Sequence, residues 1–283
     1  MSAHRTPELE PISRVAPSIP SKTLLMARIS PERGEPELQE FLDRAVRDGY
    51  DINDYSEVMI DAIRSRKMYL VKALLRCNMP VSSIYVLEAV KNVSKDTLTP
   101  FLTAFFENGW DINAPISGRD PPVLAKVVWN LDMTIWLLDR GADPNERCDF
   151  DCTPLSYAVR EADLPTIDLL LRRGGDVRIG QLLHNAMYRL SGESGDILKI
   201  VEMLVDRGAS LNSLMYQDHQ YSWTMFPFMR ETPLHIAVAY NRHDVIRYLI
   251  HKGANVEIEN YQGETVVQSA LHEATKRVIL QEL

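Results

Sequence analysis

Cysteine is scarce in this 283-residue chain: Cys77, Cys148 and Cys152 are too few and too unevenly spaced for a disulfide framework, which fits a reducing compartment. Long apolar runs are missing as well. Charges interrupt every one before it reaches bilayer length, and the N-terminus has no apolar stretch of signal-peptide type. An intracellular protein, cytoplasmic or nuclear and without a membrane partner, is therefore expected. Positive charge is in deficit, with 31 Lys and Arg against 39 Asp and Glu and a formal net charge of -8, so the electrostatic footprint of a nucleic-acid binder is absent and no nucleic-acid partner is expected. There is no phosphate-binding glycine loop, no G-x-S-x-G elbow and no H-E-x-x-H helix; "SGESG" at 191–195 lacks the G-K-[ST] that would follow in a phosphate loop and reads as a turn extension.

What is present is enough apolar residue, 45%, to bury a substantial core. Residues 1–37 are the exception. They hold Pro7, Pro11, Pro17, Pro20, Pro31 and Pro36, have few large apolar groups, and balance five Lys or Arg against five Glu. Such a segment cannot bury enough surface to offset its chain entropy, so a disordered tail is expected over 1–37 and a folded domain over 38–283.

The folded part repeats itself. "DGYDIN" (48–53), "NGWDIN" (108–113), "RGADPN" (140–145), "RGGDV" (173–177), "RGASLN" (207–212) and "KGANVE" (252–257) recur behind pairs of apolar residues, and Asn78 in "RCNMPV" fills the same glycine slot. The slots step by about 33 residues, except for the last step, Gly208 to Gly253, which is 45. "TPLSYAV" (153–159) and "TPLHIAV" (232–238) each begin 21 residues before their glycine, Gly174 and Gly253. Proline suits the first turn of a helix, with Thr153 or Thr232 before it as N-cap. Val245, Ile246, Leu249 and Ile250 follow helical spacing as the buried stripe of a second helix, which a left-handed Gly253 ends. These residues resemble the ankyrin repeat across roughly 38–283, specifically in those two copies and degenerately nearer the N-terminus. The resemblance implies an all-α solenoid of about seven helix-turn-helix units joined by hairpin fingers, with residues 263–283 as a C-terminal cap and a concave inner face.

Several residues invite chemistry. His235 of "TPLH" resembles a catalytic base, but the family resemblance implies a hydrogen bond between neighbouring units, with His184 of "LLHNAM" in the matching place. His243 and His251 belong to the second helix and its end. "CDFDC" (148–152) offers two thiols and two carboxylates, yet no second ligand pair with zinc spacing is nearby, so a finger tip presenting Asp149 and Phe150 is expected, and no metal or cofactor. Trp136 continues a second-helix stripe, while Trp110, just after a helix-ending glycine, and Trp129, near an inter-helix turn, are both candidates for partial exposure between which the sequence does not decide.

The link from Asn145 to Thr153 is eight residues, whereas that from Asn212 to Thr232 is twenty, so one finger has gained twelve. The addition carries Tyr216, Tyr221, Trp223, Met225, Phe226 and Phe228. Either this loop, 213–230, folds back over its own scaffold or it forms one wall of a binding surface. Phe228, Met229, Ala239 and Tyr240 stand where the resemblance implies variable ligand-facing side chains, and Asp149, Phe150, Arg160 and Glu161 are their counterparts. The expectation is a non-enzymatic module that binds a protein or peptide through its concave face and this aromatic loop. Asp218 and Glu231 would favour a partner with a basic patch. The alternative is a small-molecule binder or enzyme whose pocket the loop roofs with Tyr216, His219, Tyr221 and Trp223, His219 being its acid or base.

Overall fold

The computed structural model describes residues 35–92, 95–189 and 194–283. Residues 1–34 of the expected tail and 191–193 of "SGESG" lie outside them. The described chain forms two compact units, divided between Met79 and Pro80. Among the described residues there are helices and no named strands, apart from an isolated bridge between Ser117 and Asp120.

The first unit contains α1 (Glu35–Arg47), a 3₁₀ turn over Ile52–Tyr55, α2 (Ser56–Arg64) and α3 (Met68–Arg76). Both α1 and α2 pack on α3. Leu42, Met59, Ile63, Leu70 and Leu74, spaced three or four residues apart within their helices, are fully buried. The chain leaves α3 through Asn78 at φ 60°, the left-handed conformation expected of its slot.

The second unit opens with the pair α4 (Ser83–Asn92) and α5 (Lys95–Glu107), followed by α6 (Leu124–Val127) and α7 (Leu131–Leu138). The pairs α8 (Pro154–Glu161) with α9 (Leu164–Arg172) and α10 (Leu182–Met187) with α11 (Ser194–Val205) come next. Inside the long finger lies α12 (Gln220–Met225), and after it come α13 (Pro233–Ala239) with α14 (His243–His251) and α15 (Val266–Ser269) with α16 (Glu273–Gln281). The first helices of successive pairs pack in the order α6, α8, α10, α13, α15, so each covers an apolar face its neighbour cannot cover alone. Leu124, Leu155, Leu183, Leu234 and Val266 are the buried leucines and valine of that row.

Thr153 accepts the Ser156 N–H at 3.0 Å and its own N–H donates to Ser156 Oγ at 3.1 Å, a reciprocal cap. Thr232 and His235 repeat it, Nδ1 of the histidine taking the place of the serine oxygen. The fourth residue of the motif then reaches the next unit's backbone. Ser156 Oγ donates to the Gly180 carbonyl at 2.6 Å, and His235 Nε2 donates to the Glu264 carbonyl at 3.1 Å. His184 Nε2 faces the carbonyls of both Ser213 and Glu231 at 3.1 Å. Carbonyls only accept, so they fix the proton on Nε2. At Gly180 the approach is so close that a Cβ would stand 2.3 Å from Ser156 Oγ.

The fingers are laced in the same way. Asn113 and Asn145 each accept the N–H of the following finger, from Asp143 at 2.8 Å and Asp176 at 2.7 Å, and donate back to Gly141 and Gly174. Asn212 accepts from Asn255 at 2.8 Å. Along the second helices, Arg173–Asp139, Arg207–Asp168 and Lys252–Asp206 join neighbouring units by exposed ion pairs, each worth little alone. Of the two tryptophans left open, Trp110 is buried, because the chain folds back after Gly109 and the Trp110 N–H returns to the Phe105 carbonyl. Trp129 is 65% exposed.

Two outcomes follow for stability. Gly253 sits at φ 94°, where the Ala254 N–H closes on the Leu249 carbonyl and a Cβ would meet nothing. Gly253→Val should thus lower the urea-unfolding free energy by at least about 1–2 kcal/mol through backbone strain alone, while Asn78→Gly changes it little. Burial holds the His184 imidazolium off, taking its pKa down to about 4. The unfolded chain then binds a proton that the fold refuses. The stability contributed is complete above about pH 6.5 and declines by about 3 kcal/mol as pH falls toward 4. His184→Gln should be less stable than the parent near neutrality, and the gap measured by urea unfolding should narrow steadily on acidification.

Candidate functional site

The long finger is a loop with a tied neck. The Met215 N–H donates to the Glu231 carbonyl at 2.9 Å, and His184 places one N–H between the Ser213 and Glu231 carbonyls, so a single buried ring holds both ends of the insertion. Beside it, Gln181 occupies the slot that Thr153 and Thr232 fill elsewhere. Its backbone is left-handed, at φ 55°, and its side chain makes no cap. The freed amide accepts the Tyr216 N–H at 3.0 Å and donates to Asp151 Oδ2 at 2.7 Å. Asp151 is buried, left-handed at φ 57°, and paired with Arg147 at 3.3 Å. The loop therefore folds back across one finger to reach the tip of the one before.

At that tip the rings meet. Phe150 lies 5.5 Å from Tyr221 and 5.4 Å from Phe226, centroid to centroid. Phe226 also contacts Tyr216 at 5.7 Å and Phe228 at 6.4 Å. These tilted and edge-on arrangements are the favoured ones for aromatic pairs. Arg119 lies over Phe150 at 5.7 Å and Arg230 over Trp223 at 4.1 Å, the latter also donating to the Trp223 carbonyl. Inside α12, His219 Nδ1 accepts the Ser222 N–H and caps the helix.

The predicted partner-binding residues divide by exposure. Tyr221, Phe228 and Tyr240 are 44–58% exposed, as is Met225. Trp223, Phe226 and Met229 are half-buried. Tyr216 is only 8% exposed, because its ring lies beneath Phe226 and its N–H is held by Gln181. It anchors the loop from beneath. Asp149 is exposed and Phe150 half-buried. Arg160 and Glu161 pair with each other at 3.4 Å at the exposed end of α8, and Arg160 lies over Tyr157. At the end of α10, Tyr188 stands edge-on to Tyr240 at 5.9 Å, its phenol pushed up by burial.

Of the four residues of the pocket alternative, Tyr216 packs on Phe226, Tyr221 on Phe150 and Trp223 on Arg230, and His219 caps its helix. A cavity of about 140 Å³ at the loop's base is lined instead by Gln181, His184, Ser213, Leu214 and Gln217 among others. No cluster of metal-ligating side chains occurs among the described residues. Gln181, Asp151, Met215 and Ser222 carry the loop's attachment and went unread in the sequence; the signal available was the missing threonine at Gln181, one unit before the insertion.

Residues 229–261 match the family model of the ankyrin repeat. The chain is 28% identical over 187 residues to an ankyrin repeat and KH domain-containing protein of Caenorhabditis briggsae, covering 65% of this chain and 6% of that one. It is 30% identical over 135 residues to a putative ankyrin repeat protein of fowlpox virus, covering 46% and 28%. To the probable 26S proteasome regulatory subunit p28 of Saccharomyces cerevisiae it is 29% identical over 187 residues, covering 65% and 77%. The chain thus spans well under a third of the first two relatives and about three quarters of the third. The repeated glycine slots, the cross-unit ties of Ser156, His184 and His235, and these matches together show that the chain is an ankyrin-repeat protein.

Proposed function

We propose that this protein is a non-enzymatic recognition module that holds a protein or peptide partner against the exposed ends of its inner helices, with the aromatic loop as the apolar wall of the site. The observation that carries this reading is the presentation of Tyr221, Met225 and Phe228 at 50–58% exposure on a loop whose neck is buried, with Tyr240 at 44% exposure at the end of α13. A loop that served only to seal its own scaffold would turn these side chains inward. Rigidly held aromatic side chains lose little entropy on binding, and clusters of this kind dominate the energy of protein interfaces. The relatives support the class of function: ankyrin repeats are generally protein-interaction modules, and one relative is named as a regulatory subunit of a larger assembly.

Charge supports a partner with a basic patch. Asp149 and Asp218 are exposed at the loop's margin, and the last finger carries Glu257, Glu259 and Glu264 with no cation between Ala254 and Glu264. Charges at such a rim act chiefly on the rate of encounter and on its salt dependence.

The structure separates two groups of rings, and the test uses both. Replacing Tyr221, Met225 and Phe228 together by Ser should weaken capture of the partner from the native extract by at least about tenfold while the melting temperature moves little. Replacing Phe226 alone should lower the melting temperature, since three other rings rest on it. Undiminished capture by the triple variant would remove the loop from the binding surface.

A further inference from the structure

Cys148 and Cys152 close a three-residue finger tip. The Cys148 N–H donates to the Cys152 carbonyl at 3.0 Å, the Asp151 N–H donates back to the Cys148 carbonyl at 3.2 Å, and Asp151 takes the left-handed conformation that completes the turn. This is the geometry of a hairpin with a bulge at its third loop residue, in which the closing pair projects to one side. A hydrogen-bonded antiparallel pair has Cα atoms about 5.5 Å apart, within the span a disulfide bridges. Both thiols are free, that of Cys148 buried and that of Cys152 half-buried. Cys152 Sγ also approaches the Phe150 carbonyl at 3.8 Å. We propose that Cys148 and Cys152 are a reversible dithiol–disulfide site, oxidised by hydrogen peroxide, whose state sets the position of Phe150 against Tyr221 and Phe226.

The chemistry closes on these two residues. The neighbouring Cys152 thiol and backbone N–H groups draw the Cys148 pKa below that of an ordinary thiol, and the Cys152 proton is correspondingly held. Cys148 sulfur attacks one peroxide oxygen, the O–O bond breaks, and the departing hydroxide takes up a proton to leave as water. Cys148 is now a sulfenic acid. Cys152 sulfur attacks it, the S–O bond breaks, and the sulfenic oxygen leaves as a second water carrying the Cys152 proton. Two thiols have been oxidised to one disulfide and one peroxide reduced to two waters. Drawing the sulfurs to about 2.05 Å removes the Cys152 donor from the Phe150 carbonyl and tightens the three residues between them. Phe150, Asp151 and, through Gln181, the Tyr216 N–H lie directly on that path. Cys77 provides an internal contrast, since burial and the Asp43 carboxylate push its thiol up.

The full-length protein is treated with graded hydrogen peroxide, alkylated, digested and weighed. The peptide containing Cys148 and Cys152 should lose two hydrogens at a peroxide concentration at least about tenfold below that which modifies Cys77, and dithiothreitol should restore both thiols. Cys152→Ser should stop at a sulfenic acid on Cys148 that dimedone traps. Oxidation of the parent should alter the near-ultraviolet circular dichroism of the ring cluster, and Cys152→Ser should not show that change. Alkylation of both thiols after peroxide has already modified Cys77 would overturn the site, and a disulfide that leaves the aromatic signal untouched would overturn its link to Phe150. Neither result depends on a partner, so the recognition reading stands or falls separately.

Discussion

One imidazole N–H, on a fully buried ring, ties both ends of the long insertion to the scaffold. In two other units the motif's fourth residue makes the corresponding tie, to a single carbonyl: Ser156 to Gly180 and His235 to Glu264. At His184 the same reach is shared between Ser213 and Glu231, the two feet of the insertion. A contact that elsewhere stacks one unit on the next has become the knot of a loop, at no cost to the stacking. The long finger can therefore be rigid at its neck while its outer rings remain in solvent.

That arrangement gives the loop a buried side and an exposed side. Met215, Tyr216 and Ser222 are buried and Phe226 sits among three rings, so the inner side of the loop behaves as core. Tyr221, Met225 and Phe228 belong to the same short segment yet face outward. The division follows from α12 itself: a single helical turn, capped by His219, sends Ser222 inward and its neighbours out. The exposed side chains still touch the inner ones, Tyr221 on Phe150 and Phe228 on Phe226.

The repeat was plain in the sequence because it is a local matter. Glycine slots, apolar pairs and Thr-Pro starts each report on a few adjacent residues, and even the substituted slot at Asn78 adopts the left-handed backbone its place demands. The insertion, too, could be counted from the distance between Asn212 and Thr232. Which of its rings lie inside was not legible. The position of Tyr216 depends on Gln181, and that of the finger tip on the bond from Asp151 to Gln181, partners thirty or more residues apart in the chain. A side chain that leaves its usual cap to bind a loop in the next unit leaves only a negative trace, a threonine missing from its expected position. The burial of Trp110 was undecidable for a related reason: a residue just past a helix end gives no local sign that the chain folds back on Phe105.

Amide hydrogen exchange tests the tied neck most directly. The N–H groups of Met215 and Tyr216 are bound to the Glu231 carbonyl and the Gln181 side chain. If the loop is anchored as described, they should exchange as slowly as the Ala254 N–H that closes α14, and together with it. Exchange of Met215 and Tyr216 at the rate of an unstructured peptide, while Ala254 stays protected, would show that the insertion is not held by the scaffold and would contradict the account.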